Sequence, residues 1–169
     1  MTPRLLARLK RAGYFGIWMI RYLALAVIAG SAAAQSGITP VLELDLAGRI
    51  FQVEYVADPD SRREGLMGRT VLPVGTGMLF DFPEGTRPAI WMRNMLISLD
   101  LVYIDQSGEI VQIFRQVPPC KAMPCEIYHA NEPVRFVLEV PAGTADSLSL
   151  EVGQALALDA LSARPRPRD

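Results

Sequence analysis

Few residues in this sequence combine a reactive side chain with suggestive spacing. Cys120 and Cys125 lie in Pro118-Pro-Cys-Lys-Ala-Met-Pro-Cys125. A redox-active pair is more usually C-x-x-C at a helix start, so this spacing predicts a local disulfide of the kind that oxidising compartments preserve. Zinc would need more sulfur or nitrogen ligands, and His129 is the sole histidine. The same scarcity argues against a Ser–His–Asp triad, and the sequence has neither a G-x-S-x-G elbow nor a P-loop. Acidic residues are plentiful, but no spacing singles out a carboxylate pair for glycoside chemistry.

Asp100 stands out in Leu99-Asp-Leu-Val-Tyr-Ile104. In an extended strand it shares a face with Val102 and Ile104, while Leu99, Leu101 and Tyr103 take the other. A strand apolar on both faces is central and buried, and a buried carboxylate needs a cation or several N–H donors. Arg93, Arg69 and Asn94 are the expected partners, and a satisfied buried ion pair is favoured over an acid/base role. Trp91-Met92-Arg93-Asn94 offers an aromatic wall beside a cation and an amide, the mix found in small-molecule pockets. The rival reading makes Trp91 core and Asn94 a turn residue. Of seven methionines, Met67, Met78, Met92, Met95 and Met123 follow residue 34. Thioethers suit Cu(I), but Met is also ordinary core filling.

These residues must be positioned by short strands. Val41–Leu46 and Ile50–Ala57 alternate around Ala47-Gly48 and predict a hairpin. Asp58-Pro59 predicts the start of a short helix that Gly65 stops. Strands are expected at Gly77–Phe82, Ala89–Met92, Leu99–Asp105, Glu109–Arg115, Val134–Val140 and Gln154–Asp159. Asp105-Gln-Ser-Gly108 makes a tight turn, and the stretch after Pro141 allows one helical turn. The expected fold is mainly β: a small antiparallel β-sandwich or barrel-like domain with one or two short helices.

The 169 residues have one-domain length, and 50% hydrophobic composition predicts a core. Residues 1–34 carry Arg4, Arg8, Lys10, Arg11 and Arg21 with no acid, leaving 12 basic against 18 acidic residues, or −6, in the remainder. An acidic body disfavours nucleic acid and anionic membranes. Basic residues through Arg21, the apolar run Tyr22–Gly30 and Ser31-Ala-Ala-Ala34 have the order of a secretory signal, with cleavage expected after Ala34. A retained anchor over Gly13–Gly30 would put Arg21 in the span, at roughly 2.5–3.5 kcal/mol if central. The run after Arg21 falls short of the ~20 residues needed to cross alone. The long basic region raises the alternative that translation starts at Met19 rather than Met1. The expected organisation is a signal peptide over residues 1–34, a linker over 35–40, one β-rich domain over 41–160 and a disordered Arg/Pro tail over 161–169.

Gly65-Leu-Met-Gly-Arg69, Gly77-Met-Leu-Phe-Asp-Phe-Pro83, Trp91-Met-Arg-Asn94, Leu99-Asp-Leu-Val-Tyr-Ile-Asp105 and Val137-Leu-Glu-Val-Pro-Ala-Gly143 occur in that order. Together they resemble the bacterial and archaeal family called domain of unknown function 192. The resemblance implies a compact, mainly β, often exported domain and implies no activity. Arg93, Met95 and Ser98 stand where the family commonly has Lys, Thr and Pro; Arg93 keeps the charge but alters its donor geometry.

Together these readings describe an exported periplasmic or secreted domain, a noncatalytic ligand-binding or accessory module of the cell envelope. The alternatives are an enzyme using Asp100 with Arg93 or Arg69 beside Trp91, or Met-based copper handling. The partner expected is a small molecule or an envelope protein. No cofactor, resident metal or nucleic acid is expected, and membrane contact is transient, through the signal peptide.

Overall fold

The computed structural model describes residues 39–168. The expected signal peptide, its cleavage site and the choice between Met1 and Met19 lie outside the described residues, as does most of the 35–40 linker.

The hairpin forms as its alternation dictates. β1 (Val41–Leu46) pairs antiparallel with β2 (Arg49–Val56), and Asp45 Oδ1 accepts the Gly48 N–H at 2.7 Å across the turn. The helix α1 (Pro59–Glu64) is capped by Asp58, whose side chain accepts the Ser61 N–H at 2.9 Å. It stops where Gly65 takes φ +50° and its N–H donates to Ser61 O.

The chain continues through β3 (Thr76–Asp81), β4 (Ala89–Trp91), β5 (Leu99–Ile104), β6 (Ile110–Val117), β7 (Ile127–His129) and β8 (Phe136–Pro141). Two single-turn helices follow, α2 (Thr144–Ser147) and α3 (Asp159–Ser162). Six strands form one sheet in the order β1-β2-β3-β8-β5-β6, and β4 pairs with β7 in a second, two-stranded sheet. The domain is mainly β, as expected, with no closed barrel.

The main sheet is covered on both faces. Phe51, Val53, Leu79, Val102, Ile104, Phe136, Leu138 and Val140 pack one core with Leu150, Leu156 and Leu158. Met78, Phe80, Leu101, Tyr103 and Val137 pack a second core with Leu66, Met92, Met95 and Tyr128. All six residues of β5 are buried, as a strand apolar on both faces requires. Each buried Leu, Val or Phe contributes about 1.5–3 kcal/mol relative to exposure.

Four details depart from the sequence reading. β2 and β3 run parallel, in register from Gln52↔Thr76 to Val56↔Phe80, because α1 and the following loop form a crossover connection. Residues 154–159 form no strand. They make one bridge, Glu109↔Ala155, although Leu156 and Leu158 are buried as expected. β7 is an additional strand; three residues after a Pro-rich loop give too short a pattern to read.

The fourth is the Arg/Pro tail, expected to be free, whose first part is held. Leu161 is buried, Arg135 donates to Ser162 O at 2.6 Å and to Arg164 O at 2.9 Å, and the Arg164 guanidinium lies 5.6 Å from the Tyr55 ring centre. The anchor is the buried pair Arg135–Asp81, with Nε 3.1 Å from Oδ1 and Tyr55 donating to Asp81 Oδ2 at 2.8 Å.

Candidate functional site

Strand β8 places Phe136, Leu138 and Val140 in the first core, so Val137 and Glu139 point to the opposite face. There Glu139 is 5% exposed and lies between Met78 on β3 and Leu101 on β5. Among the described residues no donor or cation meets its carboxyl, and burial alone pushes that carboxyl from 4.5 up to about 8. Burial therefore favours the protonated form of Glu139, which has a proton to donate and an oxygen free to accept. Close packing of β3 beside it depends on Gly77, where a Cβ would come 2.6 Å from the Glu139 carbonyl oxygen.

Glu139 borders a cavity of about 240 Å³ between α1, β4 and the sheet, with apolar walls from Leu66, Phe80, Phe82, Ile90 and Met95. Trp91 closes one side, and α1 brings Arg62, Arg63 and Glu64 to the mouth. The Arg62 guanidinium lies over the Phe82 ring at 5.3 Å and donates to the carbonyl oxygens of Ala57 and Asp81. Below the β4–β7 pair, Tyr103 donates to Tyr128 O at 2.7 Å; burial, and secondarily the neighbouring Glu139, raise its phenol.

A second depression of about 420 Å³ shares Arg63, Glu64, Met67 and Trp91 with the first and adds Arg93 and Asn94. Trp91, Arg93 and Asn94, the aromatic, cation and amide singled out in the sequence, thus border one depression. Trp91 is 39% exposed rather than core, and Arg93 lies 5.4 Å from its ring centre. Asn94 also serves the turn, as its rival reading holds: it sits at φ +59° and its carbonyl accepts the Gly68 N–H at 3.0 Å.

Asp100 and Arg69 do not join this site. Asp100 is fully buried, but the expected pairing with Arg93, Arg69 or Asn94 is replaced by two backbone donors. Gln116 N–H reaches Oδ1 and Ala145 N–H reaches Oδ2, each at 2.7 Å. Because Asp100 lies on the Val102 and Ile104 face, it is directed away from the Glu139 pocket. Arg69 makes a two-pronged ion pair with Glu54 on β2. An enzyme site built on Asp100 beside Trp91 is therefore excluded by position. The buried ion pair that the sequence reading sought exists elsewhere, as Asp81–Arg135.

Cys120 and Cys125 form the expected disulfide. Met67 and Met95 line the pocket, Met78 and Met92 are buried core, and Met123 is exposed. Among the described residues, no group of three or more His, Cys, Asp or Glu side chains could hold a metal. None of the helices described is long and apolar enough to cross a membrane.

Glu139 was missed because its alternation with Leu138 and Val140 reads as a polar outer face. Only the second core makes that face an inner one. The available signal was the absence of any other polar residue on it between Val137 and Pro141.

The fold is that of a small, mainly β domain with a buried carboxyl bordering a surface cavity, and comparison with known proteins identifies the family. The profile of DUF192, described as uncharacterized ACR, matches residues 42–158, so the chain belongs to that family. A UPF0127 protein of Thermococcus sibiricus (strain DSM 12597 / MM 739) is 31% identical over 85 residues, 49% of this chain; the match spans 51% of that relative's length. A candidate transcription regulator from Sinorhizobium meliloti 1021 has a similar structure: TM-score 0.60, 36% identity, covering 68% of this chain and 88% of that one. A protein of unknown function from Novosphingobium aromaticivorans DSM 12444 aligns with TM-score 0.63 and 25% identity, covering 69% and 84%.

Proposed function

We propose that this chain is an exported, noncatalytic binding module of the cell envelope, and that the pocket between α1, β4 and the sheet holds a small organic ligand. The observation carrying this reading is Glu139, a buried carboxyl with no protein partner, facing a cavity with apolar walls and a charged mouth. Such a group is costly to bury unless something meets it. A ligand whose hydroxyl or carbonyl pairs with the acid, and whose apolar body fills the aromatic walls, meets that need. Within the site no nucleophile stands beside a base, which favours binding over catalysis.

Export is supported by the order of charge, apolar run and small residues up to Ala34, and the Cys120–Cys125 bond suits an oxidising compartment. DNA binding by analogy with the Sinorhizobium protein is disfavoured by the charge of −6 after residue 34.

The test is native recovery. The full chain is expressed in a bacterial host, and the protein is purified from each cell fraction without denaturation and opened in organic solvent for mass spectrometry. Wild-type protein should come from the periplasm or medium, beginning near Gln35, with a small molecule that Glu139→Gln and Trp91→Ala lose. Cytosolic protein with residues 20–34 intact would sink the export reading, and identical extracts from all three would sink the pocket reading.

A further inference from the structure

Three depressions adjoin one another along one side of the domain. Trp91 borders the first and second, and Arg93 and Asn94 border the second and the third, which has about 220 Å³. The first space has Glu139 at its floor and Arg62, Arg63 and Glu64 at its mouth, the middle space is faced by Trp91 and Met67, and the third is bounded by Arg93 and Lys121 and by no acid.

Ion pairing divides the described cations, and these two fall on its unpaired side. Arg63 is paired with Asp60, Arg69 with Glu54, Arg115 with Asp146 and Arg135 with Asp81. Among the described residues, neither Arg93 nor Lys121 has a carboxylate within ion-pair distance. In a body carrying −6 after residue 34, two cations without ion-pair partners border one depression whose lining has no acid. The site is framed on firm elements: Arg93 lies over the Trp91 ring, and Lys121 is inside the loop closed by Cys120–Cys125. Asp60 and Glu64 border the middle space, and Asp60 is engaged by Arg63 at 2.8 Å.

Resting on the pocket reading, we infer that the row accommodates an amphipathic organic anion, with its apolar body against Trp91 and Met67 and its acidic group at Arg93 and Lys121. A carboxylate, sulfonate or phosphate ester would serve equally, since Lys acts as a point charge and Arg presents a planar fork to any of them. A purely apolar ligand would leave the outer cations unused. An organic cation lying along the row would be repelled by both of them.

A matched pair of fluorescent probes tests this on the full chain: anilinonaphthalene sulfonate and phenylnaphthylamine, which has the same ring framework without the sulfonate. The sulfonate should bind in a one-to-one ratio and about tenfold tighter at low salt, an advantage consistent with one or two partly exposed ion pairs. Lys121→Gln should reduce that advantage while leaving phenylnaphthylamine binding unchanged, and adding Arg93→Gln should erase what remains of it. Both substitutions are on exposed side chains, and circular dichroism checks that the fold is intact. Trp91→Ala should weaken both probes. Equal affinity for the two, indifferent to the charge changes but lowered by Trp91→Ala, overturns the anion inference and leaves the pocket standing. Binding of both probes indifferent to Trp91→Ala overturns the pocket reading, and the inference with it.

Discussion

The Ala145 N–H donates to the Asp100 carboxylate at 2.7 Å, tying the start of β5 to the start of α2, 45 residues away in sequence. With Gln116 N–H on the other oxygen, the side chain acts as a clamp between β5, β6 and the α2 turn. Gln116 sits at φ +53° in the same stretch, where the β5–β6 register shifts between Leu99 and Leu101.

Asp100→Ala should therefore destabilise by about 2–6 kcal/mol, since it leaves two N–H groups without acceptors at about 1–3 kcal/mol each. Asp100→Asn keeps one acceptor and should cost about half as much. In a double-mutant cycle, Asp100 and Arg93 should couple by less than about 0.5 kcal/mol. Denaturant unfolding measures all three, and strong coupling to Arg93 would contradict the clamp.

Removing Arg135 leaves Asp81 charged and fully buried, so Arg135→Ala should cost about 3–5 kcal/mol. Tyr55→Phe removes one hydrogen bond to that carboxylate and should cost about 1–2 kcal/mol. Ending the chain at Leu161 removes two carbonyl acceptors of Arg135 and should cost about 1–3 kcal/mol by the same measurement. A truncation with wild-type stability would show that the tail contributes nothing.

The strands of this fold were legible wherever one side of the chain is apolar, and β1, β2 and β5 follow their alternation. Strand partners were not, because alternation reports faces and not neighbours, so the parallel β2–β3 pair was invisible. At the site, Trp91, Arg93 and Asn94 could be read together because they are adjacent in sequence. Glu139 could not be connected to them, since the contact runs across the fold and depends on which sheet face the β4–β7 pair covers. Asp100 was recognisable as buried, but backbone donors leave no trace in side-chain chemistry.

Cys125→Ser should lower stability by about 2 kcal/mol, the loop-closure value for so small a ring, and leave the fold intact. Thermal unfolding with and without reductant is the check. A loss of the whole cooperative transition would mean that the loop supports more than its own conformation.

Glu139 also fixes a pH dependence. Its folded carboxyl is raised from 4.5 to about 8, so between these values the native state binds more protons than the unfolded chain. The stability this contributes is present in full below about pH 4.5 and lost as pH rises through about 8, at no more than about 1.4 kcal/mol per pH unit. Glu139→Gln should flatten that slope and make the variant relatively more stable at pH 9 than wild type. Equal slopes in urea melts from pH 5 to 9 would count against it.

Whether Glu139 is an unpaired carboxylic acid inside an apolar site is read most directly by carbon-13 NMR. The protein is labelled at glutamate side-chain carboxyls, and Glu139→Gln assigns the resonance. In the ligand-free protein the Glu139 signal should titrate with a midpoint near 8. Adding a ligand that hydrogen-bonds the acid should move that midpoint, while glutamates remote from the pocket keep theirs. A midpoint near 4.5, unmoved by ligand, would show a hydrated or paired carboxylate and contradict the pocket as a binding site.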